Sequence, residues 1–137
     1  MKHPLLTIVP NVFESVAFWD LDCSEESTYT LPETPKICQV ICSHPSHFKL
    51  TFVSEYSVAQ CLSDDINQNL FGGGEESVND CLKEMMNIIG GDYCIQRFPQ
   101  EDFTLSLPEI VQEFSTENST YYTFTSDEGS FYFFIHE

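Results

Sequence analysis

An α+β fold with a mainly antiparallel β-sheet is what this sequence predicts, and three observations predict it. Short β-type runs come in pairs around a turn, once at 37–53 and again at 121–136. Helix-period apolar patterns stand apart from them, near the N-terminus and in the middle of the chain. The order is therefore helix, strands, helix, long helix, strands, which suits two to three helices packed on one sheet. At 137 residues, 42% of them hydrophobic, the chain is read as one domain, 1–137, with enough apolar material for a sizeable core.

The first helix is expected over 5–19, where Leu5, Leu6, Val9, Val12, Phe13, Val16 and Ala17 keep helical spacing. Pro10 is the discord, and fits best as the true first turn, where a missing N–H is tolerated. Residues 20–35 are acidic, Ser/Thr-rich and hold two prolines, so they read as irregular or as a poorly formed edge strand. Ile37–Cys42 and Phe48–Val53 form a hairpin around Ser43-His44-Pro45-Ser46. Ser54 offers an N-cap for a helix through Ile66, with Val58, Ala59, Cys61, Leu62 and Ile66 inward.

Gly72-Gly73-Gly74 breaks the chain before Glu75, Glu76 and Ser77 open the strongest helix, whose N-terminal dipole suits the two glutamates. That helix runs to about Gly90, or to Phe98 if the paired glycines are absorbed. Phe103–Leu107 alternates and stops at Pro108. Tyr121–Thr125 and Ser130–His136 close the chain around Ser126-Asp127-Glu128-Gly129.

Charge excludes several functions. With 22 Asp+Glu against 5 Lys+Arg, the formal net charge is −17, and the five basic residues are scattered. Such a chain is repelled by phosphate backbones and anionic lipid surfaces, so neither nucleic acid nor membrane is an expected partner. The acidity serves solubility or long-range attraction to a cationic patch on a partner protein. No targeting segment is visible, and no apolar run reaches the ~18 residues of a membrane span, so the chain is expected to be cytoplasmic. Asn118-Ser119-Thr120 is then a chance sequon. The six cysteines are widely spaced and read as buried free thiols.

On a helix over 77–91, Val78, Cys81, Leu82, Met85 and Ile89 gather on the core side. Asp80, Glu84, Asn87 and Gly91 follow at i, i+4, i+7 and i+11, within roughly 60° of one another on the opposite side. A carboxylate, a carboxamide and a glycine thus line one ridge. By spacing alone this is an ordinary solvated helix face.

Glu84-Met85-Met86-Asn87-Ile88-Ile89-Gly90-Gly91 resembles the Glu-x-x-Asn motif of the CheC/CheX/FliY chemotaxis phosphatases, in its CheX-type form ending in Gly. The longer pattern places Asp or Ser four residues before the Glu, where Asp80 stands. It also places a proline after a following strand, which Pro108 supplies somewhat early. The order of elements matches along nearly the whole chain. The resemblance implies one site per chain, a homodimer, and a phosphorylated CheY-like receiver domain as substrate.

The implied mechanism assigns Asn87 to orient the water that attacks the aspartyl phosphate, and Glu84 to pair with the receiver's lysine. Asp80 and Gly91 would contact the partner, Gly91 as a packing and approach residue. The chain would need no cofactor of its own, since Mg2+ belongs to the receiver. The alternative is a non-catalytic CheC-like adaptor that docks a receiver or another signalling protein.

Other constellations carry less. Cys38, Cys42, His44 and His47 lie close in sequence, but alternation turns Cys38, Val40 and Cys42 to one side of a strand, as core residues, and no metal is expected. Gly72-Gly73-Gly74 lacks the Gly-Lys-Ser/Thr of a phosphate loop. Phe131, Tyr132, Phe133 and Phe134 crowd one strand, which calls for cover on both faces, in a central position or at a dimer seam.

Overall fold

A computed structural model describes residues 3–24, 28–67 and 74–137. Among the described residues, three helices, α1 (Leu5–Ala17), α2 (Tyr56–Ile66) and α3 (Glu75–Arg97), accompany seven strands. The strands are β1 (Asp22–Ser24), β2 (Pro35–His44), β3 (Phe48–Glu55), β4 (Thr104–Leu105), β5 (Glu109–Val111), β6 (Ser119–Ser126) and β7 (Gly129–His136). They form one sheet in the order β1-β6-β7-β3-β2-β4, with β5 also on β2, and every pairing is antiparallel. The expected α+β class is the observed one.

Alternation along the strands makes two cores. Cys38, Phe52, Phe133 and Tyr122 stand side by side in register, and with Val40, Leu50, Phe124 and Phe131 they face the helices. The opposite face buries Ile37, Val53 and Phe134 beneath Tyr29, Val111, Phe114, Tyr121 and Tyr132. Tyr29 stands edge-on to both Tyr132 and Phe134, at 4.8 and 4.9 Å between ring centres. β7 lies between β3 and β6, so its four consecutive aromatics are covered on both faces from a central position.

Several expectations change. α1 begins at Leu5, with the N–H groups of Thr7 and Ile8 donating to the Pro4 carbonyl, so Pro10 lies inside the helix and not in its first turn. It deprives the Leu6 carbonyl of its i+4 donor. The helix ends at Phe18, which takes a left-handed conformation (φ 59°). Ser54 does not cap α2. Its backbone pairs with Lys36 and Phe131 in the sheet, and Glu55 is the N-cap residue.

The Glu55 carboxylate instead accepts from the backbone N–H groups of Glu33 (2.7 Å) and Thr34 (3.3 Å), pinning the chain that enters β2. Within α2, Val58, Ala59 and Leu62 are buried, whereas Cys61 and Ile66 are only partly so. β1 is the short edge strand allowed for in the acidic stretch, paired with β6. β5 was not foreseen. Residues 25–27 of that stretch, and Gly72 and Gly73 of the glycine break, lie outside the described residues.

All six cysteines are free. Cys38, Cys42, Cys81 and Cys94 are buried, Cys61 is half-buried and Cys23 is exposed. Burial pushes the Cys38 and Cys94 thiols up to about 12, which suits hydrophobic filling and not nucleophilic chemistry. Among the described residues no helix is long and apolar enough to cross a membrane.

Candidate functional site

α3 absorbs both glycines and runs unbroken to Arg97. Glu75 and Glu76 stand in its first turn and Arg97 in its last, each sign matched to the helix dipole. Lys36, almost fully buried at the start of β2, donates to Glu75 (3.3 Å) and so ties the first turn to the sheet. At the far end Arg97 lies over the Phe48 ring, 5.1 Å from its centre, and pairs with Glu137 and the Tyr93 hydroxyl. Clamped at both ends, the helix is a firm mount for whatever its outer face carries.

The inner face buries Val78, Cys81, Leu82, Met85 and Ile89, the five expected, together with Met86, Gly90, Tyr93 and Cys94. The stripe is wide because α3 packs on α1 and α2 along one side and on β2 along the other. On the outer face Asp80, Glu84 and Asn87 are exposed and Gly91 is half-exposed. Neither Glu84 nor Asn87 hydrogen-bonds or forms an ion pair within the described residues. Both keep their full hydrogen-bonding capacity for something outside the chain.

The two glycines divide the packing role expected of Gly91 alone. A Cβ at Gly90 would lie 3.0 Å from Leu105 Cδ2 and 3.1 Å from Val40 Cγ2, so that glycine seats α3 on the sheet. A Cβ at Gly91 would meet nothing within 4 Å. Packing therefore belongs to Gly90, and Gly91 leaves the helix surface open.

Glu84 stands between two hollows. One, of about 490 Å³, is an open depression lined by Asn67 at the end of α2 and by Glu76, Ser77, Asp80, Cys81 and Glu84. Asn67 Nδ2 donates to Ser77 Oγ there (3.3 Å). The other, of about 40 Å³, lies where Val16 and Ile66 meet Cys81, Met85 and Ile88. Residues from all three helices thus line the hollows that flank Glu84, while Asn87 lines neither. The contributions of Val16, Ile66 and Asn67 leave no mark in local sequence, since only tertiary packing brings them to α3.

The Glu-x-x-Asn spacing occurs twice on α3, at Glu76/Asn79 as well as at Glu84/Asn87. Burial separates the two. Asn79 turns its side-chain oxygen into the protein, where it is buried without a hydrogen-bond partner, whereas Asn87 is exposed beside Glu84.

Cys38 and Cys42 point into the helix-facing core while His44 and His47 are exposed. Among the described residues no three His, Cys, Asp or Glu side chains form a group that could hold a metal ion.

A seven-stranded antiparallel sheet with three helices, one presenting a free carboxylate and carboxamide a turn apart, defines the class of domain. No protein-family model matches the sequence, and no curated protein sequence matches it. Solved structures do. CheX from Vibrio vulnificus is similar at a TM-score of 0.77 and 16% identity, over 98% of this chain and 96% of that one. A chemotactic CheC-like protein from Shewanella oneidensis is similar at 0.75 and 17%, over 97% and 94%. CheX from Borrelia burgdorferi, solved as a CheX–CheY–BeF3–Mg2+ complex, is similar at 0.75 and 14%, also over 97% and 94%. The fold is the CheX/CheC-like fold.

Proposed function

We propose that this chain is a CheX-like cytoplasmic phosphatase, a single domain over 1–137, that hydrolyses the aspartyl phosphate of a CheY-like receiver. The observation that carries the reading is the exposure of Glu84 and Asn87 side by side, both without internal partners, on a helix fixed at both ends. A surface carboxamide one turn from a surface carboxylate is of little use to the fold. The Borrelia burgdorferi neighbour, solved with CheY, BeF3 and Mg2+, supports a receiver as the partner.

Neutralisation of the phosphoryl oxygens falls to the receiver, through its Mg2+ and lysine. Asn87 supplies what remains, a hydrogen-bonded seat for a water in line with the aspartyl oxygen. That water attacks phosphorus, the P–O bond to the aspartate breaks, and inorganic phosphate leaves with the free carboxylate restored. An amide holds water without adding negative charge beside a dianionic phosphoryl group. Glu84 pairs with the receiver lysine and fixes the depth of insertion. Positioning of this kind is worth several kcal/mol. Asp80 and Gly91 belong to the docking surface, and a homodimer is part of the proposal.

The test is loss of phosphate from a receiver, with and without the protein, repeated with Asn87→Ala and Glu84→Ala. Asn87→Ala should lower the rate about 100-fold or more, and Glu84→Ala should chiefly weaken binding. Full activity in Asn87→Ala sinks the mechanism. Receiver binding without any faster loss of phosphate would leave the adaptor reading in its place.

A further inference from the structure

Among the described residues, Glu84 is the only charged one that lines the small hollow of about 40 Å³. The rest of its wall is Val16 of α1, Ile66 of α2, and Cys81, Met85 and Ile88 of α3. Cys81 and Met85 are almost fully buried, Val16 and Ile66 are half-buried, and Ile88 is 38% accessible. The hollow thus runs from the core to the flank of the ridge at Glu84.

Its size exceeds the roughly 10–15 Å³ that one water needs, but an enclosed water also needs two to four polar partners. The side chains of this wall offer one carboxylate and one weakly bonding thiol. Water is held poorly in such a place, and hydrocarbon displaces it at a gain. The larger hollow on the other side of Glu84 differs, since Asn67, Glu76, Ser77 and Asp80 line it and suit a hydrated group. An apolar slot flanked by a carboxylate matches a run of methylenes that ends in a cation, which is the chemistry of a lysine side chain. Lysine's unbranched stem and compact ammonium suit a slot this small, whereas the planar fork of an arginine calls for paired acceptors.

We propose that this hollow is a subsite for the methylene stem of the lysine whose ammonium pairs with Glu84. The inference rests on the phosphatase reading, which makes that lysine the receiver's. Val16, Ile66 and Ile88 select the side chain by its stem while Glu84 holds its head. Val16 and Ile66 are then specificity-determining residues supplied by helices other than the one that carries Glu84 and Asn87.

The experiment has two arms, and the first uses no receiver. Methyl NMR of the full chain follows Val16, Ile66 and Ile88 during titration with n-butylammonium and with methylammonium. Butylammonium should bind about tenfold more tightly or better, since each buried methylene is worth about fourfold. Val16→Leu, which puts one more methylene into the hollow, should weaken butylammonium about threefold or more. The second arm reads KM and kcat for a CheY receiver domain phosphorylated with acetyl phosphate in Mg2+. There Val16→Leu should raise KM about three- to tenfold and leave kcat within about twofold. Equal binding of the two amines overturns the subsite, as does butylammonium binding untouched by Val16→Leu, or an unchanged KM in that variant. Receiver turnover alongside any of those results leaves the phosphatase reading intact. Amine binding in the hollow with no receiver dephosphorylated removes that reading, and the receiver as the source of the lysine, while the subsite stands.

Discussion

Along α3, the face turned to the sheet and helices differs from the ridge turned to solvent in what fixes each residue. Leu82, Met85, Met86 and Ile89 are held by the atoms around them, and so is Gly90, where a side chain would press on Val40 and Leu105. Asp80, Glu84, Asn87 and Gly91 answer to no such constraint within the chain. Residues that packing does not dictate, set on a rigid support, are where a demand from outside the molecule can be met.

The contrast breaks most visibly at Leu82. Fully buried, it should cost about 2–5 kcal/mol when cut to alanine, whereas Asn87→Ala should stay within about 0.5 kcal/mol of wild type in the same urea titration. Comparable losses at the two positions would mean that the ridge is part of the core after all.

The paired glycines sharpen it further. Gly90→Val forces atoms into Leu105 and Val40 and should destabilise by about 1–3 kcal/mol. Gly91→Ala meets nothing and should gain up to about 1 kcal/mol from helix propensity, while weakening receiver binding if a partner's backbone comes close there.

The smallest effect is at the edge of α1. The His3 ring stacks on Tyr93 (5.6 Å) and lies tilted against Tyr122 (5.2 Å), and its Nδ1 accepts from the Leu5 N–H (3.2 Å). Burial lowers its pKa from 6.5, with Arg97 adding to the shift and Glu137 opposing it. The unfolded chain therefore takes up this proton first. His3 favours the fold fully above pH 6.5, and that contribution fades as the pH falls below 6.5 towards the folded-state value. Acid titration of His3→Gln should show a shallower loss of stability over that window than wild type.

Much of this was legible in the sequence because α3 obeys a simple period. Five core-facing residues and the four-residue ridge follow from 100° per residue, and all nine fall where spacing put them. What escaped is what depends on a second surface. Met86, Gly90, Tyr93 and Cys94 are buried because the sheet lies under the far side of the helix, which a one-stripe reading does not anticipate. Ser54 has the right side chain for a cap, yet the sheet holds its backbone on both sides. Pro10 sits within a helix whose stripe of Leu5, Ile8, Val9, Val12 and Phe13 is apolar enough to bridge it. The competing pair at Glu76 and Asn79 shows the limit most plainly, since only burial separates it from Glu84 and Asn87.

An uninterrupted helix is also a graduated scale. Glu84 and Asn87 sit about 4.5 Å apart along the axis, and a partner displaced by one turn, about 5.4 Å, would find a different pair. Towards the N-terminus it would meet Asp80 with Lys83, and towards the C-terminus Ile88 with Gly91. Neither offers an acid and an amide together. The absorbed glycines, by leaving α3 unbroken past Gly91, keep these graduations in phase from the first turn to Arg97. On such a scale a receiver can be seated deeply at one mark, and sliding by one turn in either direction gives it no second place to stop.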